Sequence, residues 1–141
     1  MNDGDFAFIG FDLKKETNTL VRAYNDSKGV TARFNMNLLR RINDELGGDF
    51  DLKQFDFYSS YNPHSSAVES FLISLKKQEV SVEACGRTFS FEEWEPIHTE
   101  SSYKFRESDF TRLAGRNGFE VRANFYDARR FFANSLWQVR R

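Results

Sequence analysis

The sequence predicts an α/β fold, or α+β when these residues are viewed as an isolated piece. Three observations predict it. Phe6–Phe11 is a near-continuous apolar run, typical of a strand buried on both faces. Apolar residues recur every fourth position between Thr31 and Gly47, as on the core-facing side of a helix. From Phe55 to Phe91, short β-like segments alternate with turn residues, which indicates a β-rich middle.

Three helices are predicted. Thr17–Tyr24 forms a short one, and Asn25 to Gly29 breaks it. The second starts at Thr31 as N-cap and ends at Gly47-Gly48. Its apolar stripe consists of Phe34, Leu38, Ile42 and Leu46, with Leu39 and Glu45 beside it. Ser108 caps a third helix, which runs to about Gly115.

Seven further segments are expected to be extended, because β-branched and aromatic residues fill them and turn residues separate them. They are Phe55–Tyr61, Ala67–Leu75, Val80–Ala84, Arg87–Phe91, Glu95–Tyr103, Phe119–Tyr126 and Phe131–Val139. The sequence contains no linker or repeat, so residues 1–141 are predicted to form a single domain.

Bulk composition excludes several classes of function. A net charge of −1 over 141 residues gives no general attraction to nucleic acid or to a membrane surface. There is no signal peptide and no apolar run long enough to span a membrane, and the one cysteine, Cys85, fits a reducing compartment. A cytoplasmic location is therefore expected. His64, His98 and Cys85 are too few and too scattered to form a metal site.

Two stretches carry a family resemblance: Gly29–Asp51 (GVTARFNMNLLRRINDELGGDFD) and Ile97–Phe105 (IHTESSYKF). They resemble the C-terminal half of the histidine-specific, S-adenosylmethionine-dependent methyltransferases, the family of the ergothioneine pathway. The resemblance extends over nearly the whole chain. It implies the C-terminal part of a Rossmann-like class I methyltransferase sheet, closed by antiparallel strands, with an inserted β-rich substrate-binding lobe.

The cofactor half of such an enzyme is missing from this sequence. No glycine-rich loop joins a strand to a following helix, and Gly47-Gly48 ends a helix rather than opening one. S-adenosylmethionine is therefore expected for the complete family enzyme but is not expected to bind this chain alone. No catalytic, cofactor-binding or metal-binding residue is predicted.

Glu100 and Ser102 are the first candidate site residues. In an extended segment they share a face with Lys104, and a carboxylate beside a hydroxyl suits the two nitrogens of an imidazole ring. The pattern alone also allows a solvated glutamate with a lysine four residues on. The resemblance implies that Glu100 and Ser102 hold the imidazole of the substrate histidine and that Tyr24 lines the same pocket.

Three other residues lie in segments that resemble the family. Asn35 and Asn37 belong to a signature segment of the family, but the resemblance assigns neither a role. Ser70 stands where the family has a methionine in the pocket, so it is a fourth candidate substrate-binding residue. A short polar side chain there changes the volume and polarity of the pocket, which leaves histidine or a related small amine as the expected substrate.

Two classes of function follow. The first is the substrate-binding half of a methyltransferase, inactive without a separate cofactor-binding half. The alternative is a non-enzymatic interaction module or homodimer, because the apolar strand Phe6–Phe11 would have an exposed edge. The sequence does not separate either from an inactive fragment.

Overall fold

The computed structural model of the protein describes residues 1–140, which fall into two compact units. Unit 1 consists of Met1–Glu16 and residues 103–140, and unit 2 is Thr17–Ser102. In chain order, unit 2 thus lies between the two parts of unit 1. The prediction of a single domain remains a prediction.

The elements follow the predicted order with small shifts at their ends. The helices are α1 (Thr17–Tyr24), α2 (Val30–Leu46) and α3 (Glu107–Arg116). The strands are β1 (Phe6–Asp12), β2 (Phe55–Asn62), β3 (Ala67–Ser74), β4 (Gln78–Val82), β5 (Arg87–Phe91), β6 (Pro96–Tyr103), β7 (Phe119–Tyr126) and β8 (Phe132–Val139). None of the three helices described within residues 1–140 is long and apolar enough to cross a membrane.

Unit 1 is built on a three-stranded sheet in the order β1-β8-β7. β7 and β8 pair antiparallel, as the closing strands were predicted to do, and β1 pairs antiparallel with β8 on its other side. The three strands of this sheet contain no parallel pair, although a single parallel bridge joins Leu13, directly after β1, to Phe105. The fold is mixed helix and strand, and the Rossmann-like arrangement remains an expectation that rests on the resemblance.

One face of the unit 1 sheet packs against α3. Phe11 stacks on Phe110 of α3 with ring centres 4.4 Å apart, and Trp137 lies 5.7 Å from Phe11. These residues are at most 5% exposed and form the core of the unit. Burial of such large rings is the main source of stability in a unit of this size.

The other face of the same sheet is open among the described residues. The prediction that Phe6–Phe11 is buried on both faces is wrong, because Phe6 is 57% exposed and Phe8 is 63% exposed. Phe125 of β7 lies beside Phe8, with ring centres 6.1 Å apart. Gly10 continues this face, and a Cβ there would lie 2.6 Å from the ring of Phe132, so glycine lets that ring lie across β1.

Unit 2 contains a sheet in the order β2-β3-β6 and a separate hairpin of β4 and β5. β2 and β3 pair antiparallel, with Ser59 opposite Ser70. The core of the unit has Leu39 of α2, Leu72 of β3 and Val80 of β4 at its centre, each at most 1% exposed. The helix therefore contributes its inner face to a core made mainly by strands.

The inner face of α2 differs from the predicted one. Three members of the predicted stripe, Phe34, Leu38 and Leu46, are 72%, 42% and 44% exposed. The buried positions are Leu39 and Asn35, which is 4% exposed. The four-residue spacing found the helix correctly but selected the wrong side of it.

The ends of α2 show how the local sequence sets its length. The helix starts at Val30 after Gly29 in a left-handed conformation (φ 62°), so the prediction of Thr31 as N-cap is wrong. The carboxylate of Asp26 accepts hydrogen bonds from the backbone N–H groups of Val30 (2.9 Å) and Thr31 (3.0 Å). Gly47, also left-handed, ends the helix as predicted.

The start of α3 needs a similar correction. The helix begins at Glu107, so Ser108 lies inside it and is not the cap. Instead, the carboxylate of Asp109 accepts a hydrogen bond from the backbone N–H of Arg106 (2.8 Å). A carboxylate in the first turn is favourable because the helix N-terminus carries partial positive charge.

Candidate functional site

Tyr24 and Ser102 form the closest contact among the four predicted site residues. Tyr24 is the last residue of α1, and its hydroxyl donates to Ser102 Oγ in β6 at 2.6 Å. Both residues lie in unit 2 and are half-buried. The structure therefore brings together two residues that the resemblance assigned to one pocket.

A second polar contact lies directly beside this one. Asn25, which follows Tyr24, accepts a hydrogen bond from Ser59 Oγ at 3.0 Å, and its amide nitrogen lies 3.4 Å from the Ser59 carbonyl oxygen. Ser59 is only 4% exposed. Sequence analysis missed both residues, although an asparagine that ends a helix next to a site tyrosine was a usable signal. The end of α1 is thus held to β2 as well as to β6.

Glu100 lies two residues before Ser102 in β6, so the two side chains share a face of the strand. It lines an open cavity of about 370 Å³, whose other lining residues are Phe34, Asn35, Asn37, Leu38, Arg41 and Thr99. Within residues 1–140, no hydrogen bond or ion pair engages the Glu100 carboxylate. The cavity therefore presents an available carboxylate beside an exposed aromatic ring, Phe34.

Thr99 connects this cavity to α2 and β3. Its hydroxyl lies 2.6 Å from Asn35 Oδ1 and 3.0 Å from the carbonyl oxygen of Ser70. The amide nitrogen of Asn35 donates to the carbonyl of Thr31 one turn earlier, at 3.0 Å. Asn35, to which the resemblance gave no role, is thus bonded to the residue that precedes Glu100.

Ser70 is wholly buried, at 0% exposure, on the inner face of β3. Its hydroxyl has no hydrogen-bond partner among residues 1–140. Its backbone carbonyl meets Thr99, but its side chain does not line the cavity beside Glu100. The proposed role of Ser70 in the substrate pocket therefore remains a prediction.

Lys104 does not continue the row formed by Glu100 and Ser102. It follows the last residue of β6, its side chain is 0% exposed, and its ammonium group forms an ion pair with Asp12 at 2.8 Å. Asp12 also pairs with Lys15. The predicted pair of Glu100 with an exposed Lys104 is therefore wrong, because Lys104 is buried and bonded to Asp12, whereas Glu100 itself is exposed.

His98 lies in the same strand and bonds to neighbouring residues of it. Its Nε2 lies 3.0 Å from the carbonyl oxygen of Glu100 and 3.0 Å from Ser101 Oγ. Its ring also contacts Phe71, with centres 5.2 Å apart. This exposed histidine has a structural role in β6, and residues 1–140 contain no group of three or more His, Cys, Asp or Glu side chains that could hold a metal ion.

Among residues 1–140, no glycine-rich loop joins a strand to the N-terminus of a following helix. Adenosyl cofactors are held where a glycine-rich loop joins a strand to a helix N-terminus. Gly29 precedes α2 but follows a turn after α1, and Gly47 ends α2. Gly10 lies inside β1 under the ring of Phe132.

A second cavity, of about 270 Å³, also borders α2 in unit 2 and shares Leu38 with the first. Its lining residues are apolar or weakly polar: Leu38, Leu39, Ile42, Leu46, Phe50, Val82, Cys85, Phe89, Phe91 and Ile97. Cys85 is a free, exposed thiol at its edge. The lining offers no charged group, so this cavity does not suit the chemistry of an amine or an imidazole.

Comparisons with known proteins show the family to which the chain is similar. The sequence model of one protein family, described as "Histidine-specific methyltransferase, SAM-dependent", matches residues 1–139. The histidine N-alpha-methyltransferase of Mycolicibacterium smegmatis (strain ATCC 700084) is 42% identical over 106 residues, which are 75% of this chain and 33% of that protein. The histidine N-alpha-methyltransferase of Mycobacterium tuberculosis (strain CDC 1551) gives the same identity and the same shares.

These matches and the mixed helix-and-strand fold define part of a methyltransferase. The chain belongs to the family of histidine-specific, S-adenosylmethionine-dependent methyltransferases, which confirms the predicted resemblance. It spans about a third of the length of the curated relatives that it matches. This partial coverage fits the expectation that only the C-terminal half is represented.

Proposed function

We propose that this chain is the substrate-binding part of a methyltransferase that acts on the α-amine of histidine or of a related small amine. The observation that carries the proposal is the contact of 2.6 Å between Tyr24 and Ser102, with the available carboxylate of Glu100 on the same strand face. The family match and the names of the relatives support the choice of substrate class. Catalysis requires a cofactor-binding half, carried elsewhere.

The chemistry of the site suits a neutral imidazole. Glu100 accepts the N–H of one ring nitrogen. Ser102 shares that strand face, and a serine hydroxyl is a group of the kind that donates to the other ring nitrogen, which carries a lone pair. Tyr24 donates to the serine hydroxyl and so sets its direction, and Glu100 and Ser102 together select a ring with one donor and one acceptor.

The contribution of this chain to methyl transfer is positional. S-adenosylmethionine, when bound to the complementary half, supplies the electrophilic methyl group. The substrate amine must be held deprotonated and in line with that group, and positioning of this kind can lower a barrier by several kcal/mol (about 7–11 in well-oriented systems). Glu100, Ser102 and Tyr24 orient the ring, which in turn fixes the direction of the amine.

Calorimetric titration of the chain tests the proposal. S-adenosylhomocysteine is added first and is expected to give no heat of binding, and histidine is then expected to bind weakly. Glu100→Gln removes the charge and should weaken histidine binding by about tenfold or more, because a hydrogen bond to a charged group is lost. Glu79→Gln, an exposed glutamate of β4 in the same unit, is the matched control and should bind as the wild type does.

Each outcome separates the alternatives. Binding of S-adenosylhomocysteine means that the cofactor site lies in this chain, against the proposal. Histidine binding that survives Glu100→Gln means that the ring is held elsewhere. Absence of binding by both compounds favours an interaction module or an inactive fragment.

A second candidate function is an interaction module or homodimer, and the open face of the unit 1 sheet favours it. Phe6, Phe8 and Phe125 are each more than half exposed on that face. In addition, β1 is an edge strand, with β8 as its one neighbour in the three-stranded sheet. Apolar faces and free strand edges of this kind mark sites of association.

Light scattering over a range of protein concentrations tests this candidate. A dimer that uses the open face should dissociate in Phe8→Asp, whereas Val30→Asp, a similarly exposed apolar residue of unit 2, should leave it intact. A wild-type chain that stays monomeric at high concentration contradicts self-association.

A further inference from the structure

The inner face of α2 carries an amide where an apolar side chain would be expected. Asn35 is 4% exposed and lies one turn before Leu39, which is 1% exposed and belongs to the core of unit 2. Burying an amide costs free energy unless its polar atoms are bonded, and leucine would pack there without that requirement. Packing alone therefore does not explain why an asparagine occupies this buried position.

The hydrogen bonds of Asn35 fix the direction of its side chain. Its Nδ2 donates to the carbonyl of Thr31 at 3.0 Å, so its Oδ1 is turned toward β6. There it accepts from the hydroxyl of Thr99 at 2.6 Å. The same hydroxyl lies 3.0 Å from the carbonyl oxygen of Ser70, so one threonine side chain joins α2, β6 and β3.

Glu100 directly follows Thr99, and β6 lies at the edge of its sheet. In the order β2-β3-β6, the strand has β3 as its one neighbour. A strand held by a ladder on one side opens more readily than an inner strand, so side-chain contacts have a larger influence on its position. The Asn35–Thr99 hydrogen bond connects this strand to α2 at the wall of the cavity that Glu100 lines.

We propose that Asn35 is a positioning residue for Glu100. Through Thr99 it fixes β6 against α2, which places the Glu100 carboxylate at the wall of the cavity where it meets the substrate ring. Asn35 itself acts through Thr99. The substrate part of this inference rests on the proposed function, whereas the placement of the strand does not.

Two variants remove the contact from opposite sides. Asn35→Leu keeps the branching and the number of heavy atoms of the side chain and removes its acceptor. Thr99→Val keeps the shape of threonine and removes its hydroxyl. Thr99→Ser keeps the hydroxyl and is the rescue variant. The double variant Asn35→Leu/Thr99→Val should behave like either single variant, because both remove the same contact.

Two measurements on the whole chain report on the proposal. The first is amide hydrogen exchange followed by nuclear magnetic resonance. The amide exchange rates of Glu100 to Ser102 should rise by about three- to tenfold, because one hydrogen bond that holds the strand is lost. The exchange rates of Phe57 and Leu72, in the other two strands, should stay unchanged. The second is the dissociation constant for histidine, which should rise by a similar factor. Thr99→Ser should restore both.

The two measurements can contradict the proposed function and the role of Asn35 independently of each other. If the wild type does not bind histidine but exchange rises locally in β6, the proposed function is wrong and the positioning role of Asn35 stands. If exchange rises equally throughout unit 2, Asn35 is merely structural and the inference is wrong. Unchanged exchange in Thr99→Val also overturns it, and this holds even if Asn35→Leu fails to fold.

Discussion

The hydroxyl of Tyr24 donates to the hydroxyl of Ser102 at 2.6 Å, although 78 residues separate the two along the chain. α1 has eight residues, and a helix of that length is not stable by itself in water. Its last residue is nevertheless placed against β6, because this contact and the neighbouring Asn25–Ser59 contact fix the end of the helix. The geometry of the site therefore depends on tertiary contacts of α1 rather than on its helix propensity.

Tyr24→Phe removes this hydroxyl and keeps the ring. We expect the fold to be retained and histidine binding to weaken by about three- to tenfold, because the direction of the Ser102 hydroxyl is no longer set. Calorimetric titration measures the change. Tyr58→Phe alters an exposed tyrosine of β2 in the same unit and should bind histidine with unchanged affinity.

Leu39 and Leu38 are adjacent and chemically identical, so they test which side of α2 faces the core. Leu39→Ala should lower the free energy of unfolding by about 2–5 kcal/mol, because that side chain is 1% exposed. Leu38→Ala, at a position 42% exposed, should cost less than about 1 kcal/mol. Urea denaturation measures both values. Equal losses would mean that the predicted stripe is buried after all.

Ser70 and Ser59 face each other on neighbouring strands and should respond in opposite directions. Ser59→Ala breaks the bond to Asn25 and should lower the free energy of unfolding by about 0.5–1.5 kcal/mol. Ser70→Ala removes a buried hydroxyl that has no partner in residues 1–140, so it should be neutral or stabilising by up to about 1 kcal/mol. Thermal and urea denaturation of both variants give the comparison. A loss in Ser70→Ala as large as that in Ser59→Ala would show that its hydroxyl is bonded.

Asp26 should make the start of α2 sensitive to acid. The N–H groups of Val30 and Thr31 donate to its carboxylate, which lowers its pKa below the ordinary value of 3.8. Because the folded-state pKa is the lower one, the stabilisation is complete above the unfolded-state value and is lost as pH falls through the folded-state value. Urea midpoints at about pH 6 and about pH 3 should therefore differ more for the wild type than for Asp26→Asn. Equal pH dependence of the two proteins would contradict this role.

Local patterns were sufficient to find most of the elements. Thr17–Tyr24, Arg87–Phe91 and Phe119–Tyr126 have the predicted bounds, because turn residues next to them punctuate the chain. The start of α2 was misplaced, since the cap is provided by a carboxylate that precedes the helix by several residues. Such a cap depends on the turn that Gly29 makes, which a search for a residue directly before the helix does not detect.

The inner face of α2 could not be read from spacing alone. The large apolar residues Phe34 and Leu38 recur at helical spacing, and hydrophobicity favours them over Asn35 as the buried residues. The structure buries Asn35 because Thr99 and Thr31 satisfy its amide, and these partners come from different elements. Periodicity identifies the apolar side of a helix. When apolar residues lie on more than one side, periodicity does not determine which side is buried.

The site was partly predictable, because two of its residues lie close together within one strand. The alternation of an extended strand placed Glu100 and Ser102 on one face, and the resemblance added Tyr24. Alternation failed for Lys104, because the strand ends one residue before it and the lysine is buried against Asp12. Polar partners such as Ser59 are too common in sequence to stand out before the fold brings them together.

The open face of the unit 1 sheet has a consequence for the solubility of the chain. A phenylalanine that is always in water contributes no packing, so mutation to a polar residue at that position would be harmless and would reduce aggregation. Phe6, Phe8 and Phe125 all remain more than half exposed in this chain. A polar residue at any one of these positions should therefore raise the solubility of the chain without lowering its free energy of unfolding.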